Sequence, residues 1–200
     1  MNDTPTAQND FGAIVEDGTL TVTNGANASN DGSINTTGEH SGDLMDTSSA
    51  SHKDSDVDAS DSLSITQIKK SGGSNSAVAS GSSYNSSGTQ VVGTYGTLTI
   101  GADGSYTYVA NQDAADALDV GQSANDVFTY TLTDGVNSTT ANLTTTVLGA
   151  NDAPVAQDDT GTINEDATLT VANGDDSNTI SGASFVAVSY THLRAHETTN

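Results

Sequence analysis

The sequence contains its own beginning twice. Asn2-Asp3-Thr4-Pro5-Thr6-Ala7-Gln8 returns as Asn151-Asp152-Ala153-Pro154-Val155-Ala156-Gln157, and Glu16-Asp17-Gly18-Thr19-Leu20-Thr21-Val22 returns as Glu165-Asp166-Ala167-Thr168-Leu169-Thr170-Val171, both at an offset of 149. Over residues 2–25, 16 of 24 positions are identical at that offset. Self-similarity at a fixed spacing is the mark of a tandem array, in which each unit stacks on the next. It sets the expected organisation: one full repeat over residues 1–150, the start of the next over 151–188, and a boundary at Gly149–Pro154.

Within the repeat the apolar residues follow a period of two. Tyr95-Gly96-Thr97-Leu98-Thr99-Ile100 and Tyr106-Thr107-Tyr108-Val109 alternate on either side of Gly101-Ala102-Asp103-Gly104. Phe128, Tyr130 and Leu132 share one face, Asp134-Gly135 turns the chain, and Ala141, Leu143, Thr145 and Val147 continue the alternation. Alternation broken by Asp-Gly turns predicts antiparallel hairpins, and the intervening threonines suit the solvated side of a pleated sheet. Asn111–Asp119 is the one stretch expected to make a helical turn. Residues 26–61 and 71–89, rich in Ser, Asn, Gly and Asp, read as long polar loops or a disordered insert. The core is therefore expected from residues 11–22, 63–68 and 90–148. The fold class is all-β, an antiparallel β-sandwich with long polar loops.

Charge narrows the function. There are 26 acidic side chains against 4 basic ones, a net charge of -22. Such a surface repels nucleic acid and anionic lipid, so neither nucleic-acid binding nor membrane insertion is expected; its natural partners are cations. Only Glu16, Glu39, Glu165 and Glu197 are glutamates, and aspartate suits turns and hard-cation ligation. Leu, Ile, Val and Phe make up 35 of the 200 residues, a share low enough for composition alone to suggest an unfolded chain. Without cysteine there is no disulfide or thiolate chemistry. No serine-hydrolase elbow, His-Glu-x-x-His or phosphate loop occurs, and an acidic rim in solvent lacks the sheltered, split carboxylates of a glycosidase. The chain reads as non-enzymatic.

Three ordered motifs carry a resemblance. Tyr95-Gly-Thr-Leu-Thr-Ile-Gly-Ala-Asp-Gly-Ser-Tyr-Thr-Tyr108, Asp126-Val-Phe-Thr-Tyr-Thr-Leu-Thr-Asp-Gly135 and Gly149-Ala-Asn-Asp-Ala-Pro154 together resemble a VCBS repeat, the cadherin-like and Ig-like β-sandwich unit of large bacterial adhesins exported by type I secretion. The resemblance covers residues 2–150 and restarts at 151. It implies a calcium-binding repeat of an RTX-type cell-surface or biofilm protein, hence an extracellular location and neighbouring repeats as partners. A calcium-dependent module for exopolysaccharide is the alternative; of the tyrosines only Tyr84 lies outside the expected strands and the tail, which offers little ring surface for sugar. Val188-Ser-Tyr-Thr-His-Leu-Arg-Ala-His-Glu-Thr198 resembles a translated sequencing adapter, so 189–200 is expected to be a tail foreign to the repeat.

Candidate metal ligands follow. Asp54-Ser55-Asp56-Val57-Asp58-Ala59-Ser60-Asp61 is the densest acidic run, and alternate aspartates on an extended segment put Asp54, Asp56 and Asp58 on one side, where calcium can gather oxygens. It is not an EF-hand, because Ala59 and Ile65 stand where glycine and glutamate would be needed. The cadherin-like resemblance implies that Asp56-x-Asp58 ligates calcium at a junction, that Glu16 and its twin Glu165 are ligands, and that Asn2-Asp3 and Asn151-Asp152 are linker ligands. Asp134 is a further candidate, although an Asp-Gly hairpin needs no metal. The competing reading throughout is a solvated acidic loop or an ordinary turn.

Overall fold

The computed structural model describes residues 2–30, 36–46, 51–58, 60–154, 156 and 165. The expected start of a second repeat lies outside them apart from residues 151–154, 156 and 165, and the tail at 189–200 lies outside them entirely. The chain divides into two compact units, 1–151 and 152–200. The first is all-β.

Its strands are β1 (Asp10–Val15), β2 (Thr19–Val22), β3 (Ser64–Lys70), β4 (Ser76–Ala77), β5 (Thr89–Val92), β6 (Thr97–Ile100), β7 (Tyr106–Val109), β8 (Ser123–Thr133) and β9 (Ser138–Leu148). They form two sheets, ordered β1-β9-β8-β3-β4 and β2-β7-β6-β5. Every pairing is antiparallel except β1 with β9, which is parallel. Two consecutive strands, β1 and β2, lie in different sheets. The turn at Glu16-Asp17-Gly18 makes that switch, with Asp17 in the left-handed region at φ 60°, a conformation that aspartate tolerates better than most residues.

The alternation in the sequence becomes the two sides of each sheet. Phe128, Tyr130 and Leu132 of β8 and Ala141, Leu143 and Val147 of β9 face inward and meet Leu98, Ile100, Tyr106 and Tyr108 of the other sheet. Phe128 and Tyr108 pack edge to face, with centroids 6.2 Å apart. Gly104 (φ 82°) and Gly135 (φ 97°) supply the left-handed positions at the β6–β7 and β8–β9 turns.

Two expectations become specific. Asn111–Asp119 makes turns rather than a full helix: Ala115 N–H bonds Gln112 C=O and Leu118 N–H bonds Ala115 C=O, successive bonds to the third residue back, as in a 3₁₀ turn, that bury Ala115. And the described parts of 26–61 are no loose insert. Ala13 N–H donates to Glu39 C=O, Gly38 N–H to Ala13 C=O and Ser41 N–H to Phe11 C=O, so this β2–β3 connection runs along the free edge of β1 and covers it. An uncovered edge strand would offer its backbone to another chain. Leu44, fully buried, plugs the connection into the core.

Candidate metal centre

The acidic run and the N-terminal arm are laid side by side by a two-way backbone bridge. Thr6 N–H donates to Ser55 C=O at 2.8 Å and Ser55 N–H to Thr6 C=O at 3.1 Å. Four residues upstream, the side-chain amide of Asn2 donates to Asp61 Oδ2 at 2.7 Å, and Asp3 N–H donates to Asp58 Oδ2 at 2.8 Å. Asp58 N–H donates to Asp56 Oδ1 at 2.8 Å. These bonds turn the side chains inward: one carboxylate oxygen each from Asp56, Asp58 and Asp61 lies within 4.8 Å of the others. Asp56 Oδ2 is buried without a hydrogen-bond partner. They open on a cleft of about 470 Å³ that Met45, Lys53, Asp54 and Leu63 also line.

The β8–β9 turn supports the same end of the sandwich. Asn137 reaches Asn2 C=O, Asn2 Oδ1 and Asp3 C=O with its side-chain amide, at 3.1, 2.8 and 3.1 Å. Asp134 Oδ1 in turn accepts the N–H groups of Val136 and Asn137, at 2.6 Å each. Asp134 Oδ2 is buried and has no hydrogen-bond partner. So the structure brings Asn2, Asp3, Asp56 and Asp58 together, with Asp134 tied to them through Asn137. Asp61, the last residue of the run, joins them although the alternate-aspartate reading passed over it. Asp61 stands outside the even-numbered alternation, and its N–H closes a turn on Asp58 C=O at 2.9 Å.

Asp54 does not join that set. Its Oδ1 accepts Gln8 N–H at 2.7 Å, and burial pushes its carboxyl up to about 7, with Asp43 and Asp46 raising it further against the Gln8 bond. Glu16 lies at the β1–β2 turn. It is buried, and its Oε1 accepts Ala150 N–H, which ties the strand switch to the last residues of the repeat. Asn151, Asp152 and Glu165 are exposed. Asp103 serves its own turn, accepting Ser105 N–H at 3.1 Å and the Ser105 hydroxyl.

Two buried carboxylates had no sequence signal pointing to them. Asp10 Oδ1 accepts the Ser41 hydroxyl at 3.0 Å and Oδ2 the Tyr130 hydroxyl at 2.7 Å. Burial holds Asp10 well above the usual carboxylate range, against those two bonds. Asp43 accepts the N–H groups of Gly25 and Met45, and burial raises it too.

Three converging aspartates offer oxygen donors only, the donor set of a hard cation such as Ca²⁺. The profile of the bacterial cadherin-like domain matches residues 2–149. The chain belongs to that family. No curated protein gives a significant match. Bacterial cadherin-like domains are typically structural modules without enzymatic activity, they are usually extracellular or surface-associated, and they generally bind calcium and neighbouring repeats. The Asp56, Asp58 and Asp61 carboxylates are able to hold such an ion. Among the described residues no helix is long and apolar enough to cross a membrane.

Proposed function

We propose that this cadherin-like domain is a calcium-stiffened structural repeat of a large bacterial cell-surface adhesin or biofilm protein, of the VCBS and RTX type. The observation that carries the reading is the meeting of the N-terminal linker with the acidic run: Asn2 and Asp3 are hydrogen-bonded to Asp61 and Asp58 beside Asp56. Calcium at this end is held by Asp56, Asp58 and Asp61, with Asn2 and Asp3 supplying linker oxygens and Asp134 completing the shell. Glu16, Asn151 and Asp152 serve the junction that follows, and Glu165 repeats the part of Glu16 in the next unit. Neutralising clustered carboxylates at each junction turns a self-repelling string of sandwiches into a stiff rod.

The cleft gives no support to exopolysaccharide binding, since none of its described lining residues is aromatic. Calcium titration of the full chain, followed by isothermal calorimetry, tests the reading. Asp56→Asn with Asp58→Asn is expected to remove the junction ion and leave the β-sheet circular dichroism spectrum in place. Unchanged calcium binding in that variant defeats the proposal.

A further inference from the structure

The N-terminal arm is fastened to the sheet through a carboxyl that the junction does not use. Asp10 begins β1 and is 1 % exposed. Its Oδ2 lies 2.7 Å from the Tyr130 hydroxyl oxygen, and that same oxygen lies 2.9 Å from Gln8 C=O. Three oxygen atoms therefore form a chain across two hydrogen-bonding gaps, and each gap needs a hydrogen. Tyr130 supplies one. The Gln8 carbonyl has none, and an ionised carboxylate only accepts. One hydrogen shared between both gaps would leave two poorly aligned bonds. On the other side, Asp10 Oδ1 already takes the Ser41 hydroxyl at 3.0 Å, and Ser41 Oγ accepts Phe11 N–H at 2.9 Å. Within this group the second hydrogen has one remaining source, a proton on Asp10 Oδ2.

The surroundings favour the same state. The charged groups that bear on Asp10, Asp54 and Asp43 of the β2–β3 connection, are both acidic. Tyr106 of β7 is the further titratable group on which its charge bears, and β9, which pairs with β1, carries none from Ser138 to Leu148. The two imidazoles of the connection meet β1 at neighbouring residues, His52 on the Phe11 ring and His40 at Gly12. Burial among acids disfavours the charged form, and it raises the Asp10 carboxyl.

We propose that Asp10 is a neutral carboxylic acid in the folded repeat and works as a proton-operated clasp, in which Asp10 Oδ2–H donates to Tyr130 Oη and Tyr130 Oη–H donates to Gln8 C=O. The relay holds the arm that carries Asn2 and Asp3 against β8. When Asp10 gives its proton to solvent, the chain of oxygens is one hydrogen short, and Tyr130 turns to the carboxylate and releases Gln8. The clasp is closed at lower pH and opens as pH rises through the folded value of Asp10. It needs no ion in the cleft and stands apart from the calcium reading.

An NMR titration of the parent chain tests this without relying on a variant to fold. The full chain, labelled with carbon-13 and nitrogen-15 and kept in calcium, is followed from about pH 5 to about pH 9 through the Asp10 carboxyl carbon and the Gln8 carbonyl carbon. Asp10 is expected in its protonated form at the acid end, where an ordinary aspartate is already ionised, and the Gln8 signal is expected to move at the same midpoint as Asp10. A carboxyl already ionised at the acid end overturns the inference, and so does a Gln8 signal that ignores the titration of Asp10. Two variants fix the clasp in its two states. Asp10→Asn keeps one donor and one acceptor and is expected to hold Gln8 at its closed position at every pH. Tyr130→Phe removes the relay and is expected to displace the Gln8 signal at every pH. Should Asp10 keep its proton throughout the range, the second comparison decides: a Gln8 carbonyl unmoved in Tyr130→Phe means that no clasp exists.

Discussion

Asp126 shows how much one buried carboxylate organises here. Its Oδ2 accepts the Tyr108 hydroxyl at 2.7 Å and Tyr95 N–H at 3.0 Å, while Oδ1 accepts Thr94 N–H at 2.7 Å. It thereby pins the β5–β6 turn of one sheet to β8 of the other. Asp126→Ala leaves the buried Tyr108 hydroxyl and Gly96 N–H unpaired, each costing about 1–3 kcal/mol before relaxation, so a loss of roughly 2 kcal/mol or more is expected from the urea unfolding midpoint. A loss below about 1 kcal/mol means that water replaces the carboxylate. Asp10 makes a different prediction. Its folded carboxyl is raised, chiefly by burial, so the folded state binds more protons than the unfolded chain. Stability from this group is fully present below the unfolded value near 3.9 and declines as pH rises through the folded value. In calcium-free buffer, Asp10→Asn is expected to flatten the fall in melting temperature above pH 4. Equal slopes in the two proteins would remove Asp10 as the cause.

At the scale of elements, the longer strands were legible, whereas β4 (Ser76–Ala77), inside the 71–89 stretch read as polar loop, and the β2–β3 connection were not. Phe128, Tyr130 and Leu132 announce an inward face because a pleated strand repeats every two residues, whatever surrounds it. The stretch 26–61 has no such period, and its contribution comes from isolated residues brought in by tertiary contacts: Leu44 in the core, Asp43 and Asp54 buried, Glu39 and Ser41 bonded to β1. No local pattern marks a lone Leu among Ser, Gly and Asp as a core residue. The candidate site divides the same way. Asp56 and Asp58 are conspicuous as an alternating pair, whereas the arrival of Asn2 beside Asp61 depends on the Thr6–Ser55 bridge between distant segments. Leu44→Ala decides whether the connection is structural. Emptying a fully buried leucine site costs about 2–5 kcal/mol, and hydrogen exchange at Ala13, whose N–H bonds Glu39, is expected to accelerate with it. A variant as stable as the parent would return the connection to the status of a loop.

For the whole molecule the decisive quantity is charge against apolar content. A net charge of -22 on a chain so poor in large aliphatic side chains leaves little margin for the folded state without cations. A ligand that binds only the folded state adds about 2.7 kcal/mol at a hundred times its dissociation constant. Removing calcium with EDTA at low ionic strength is therefore expected to lower the melting temperature clearly, and an unchanged melt would sever folding from calcium. Sodium chloride is expected to restore only part of the loss, because salt screens exposed charges without supplying the divalent ion the carboxylates would coordinate. The junction adds a geometric demand. Calcium takes six to eight oxygens, and in the proposed array the Asp56, Asp58 and Asp61 set with Asn2 and Asp3 would be completed by the glutamate of an adjoining repeat in the position of Glu16. A chain of two full repeats is thus expected to bind one calcium markedly tighter than the single repeat, with Asp152→Ala at the internal linker abolishing the gain and leaving each sandwich folded. Isothermal titration of the two chains settles the matter: equal affinities would place every ion within the repeats, and the array would then be a flexible string whose stiffness has some other source.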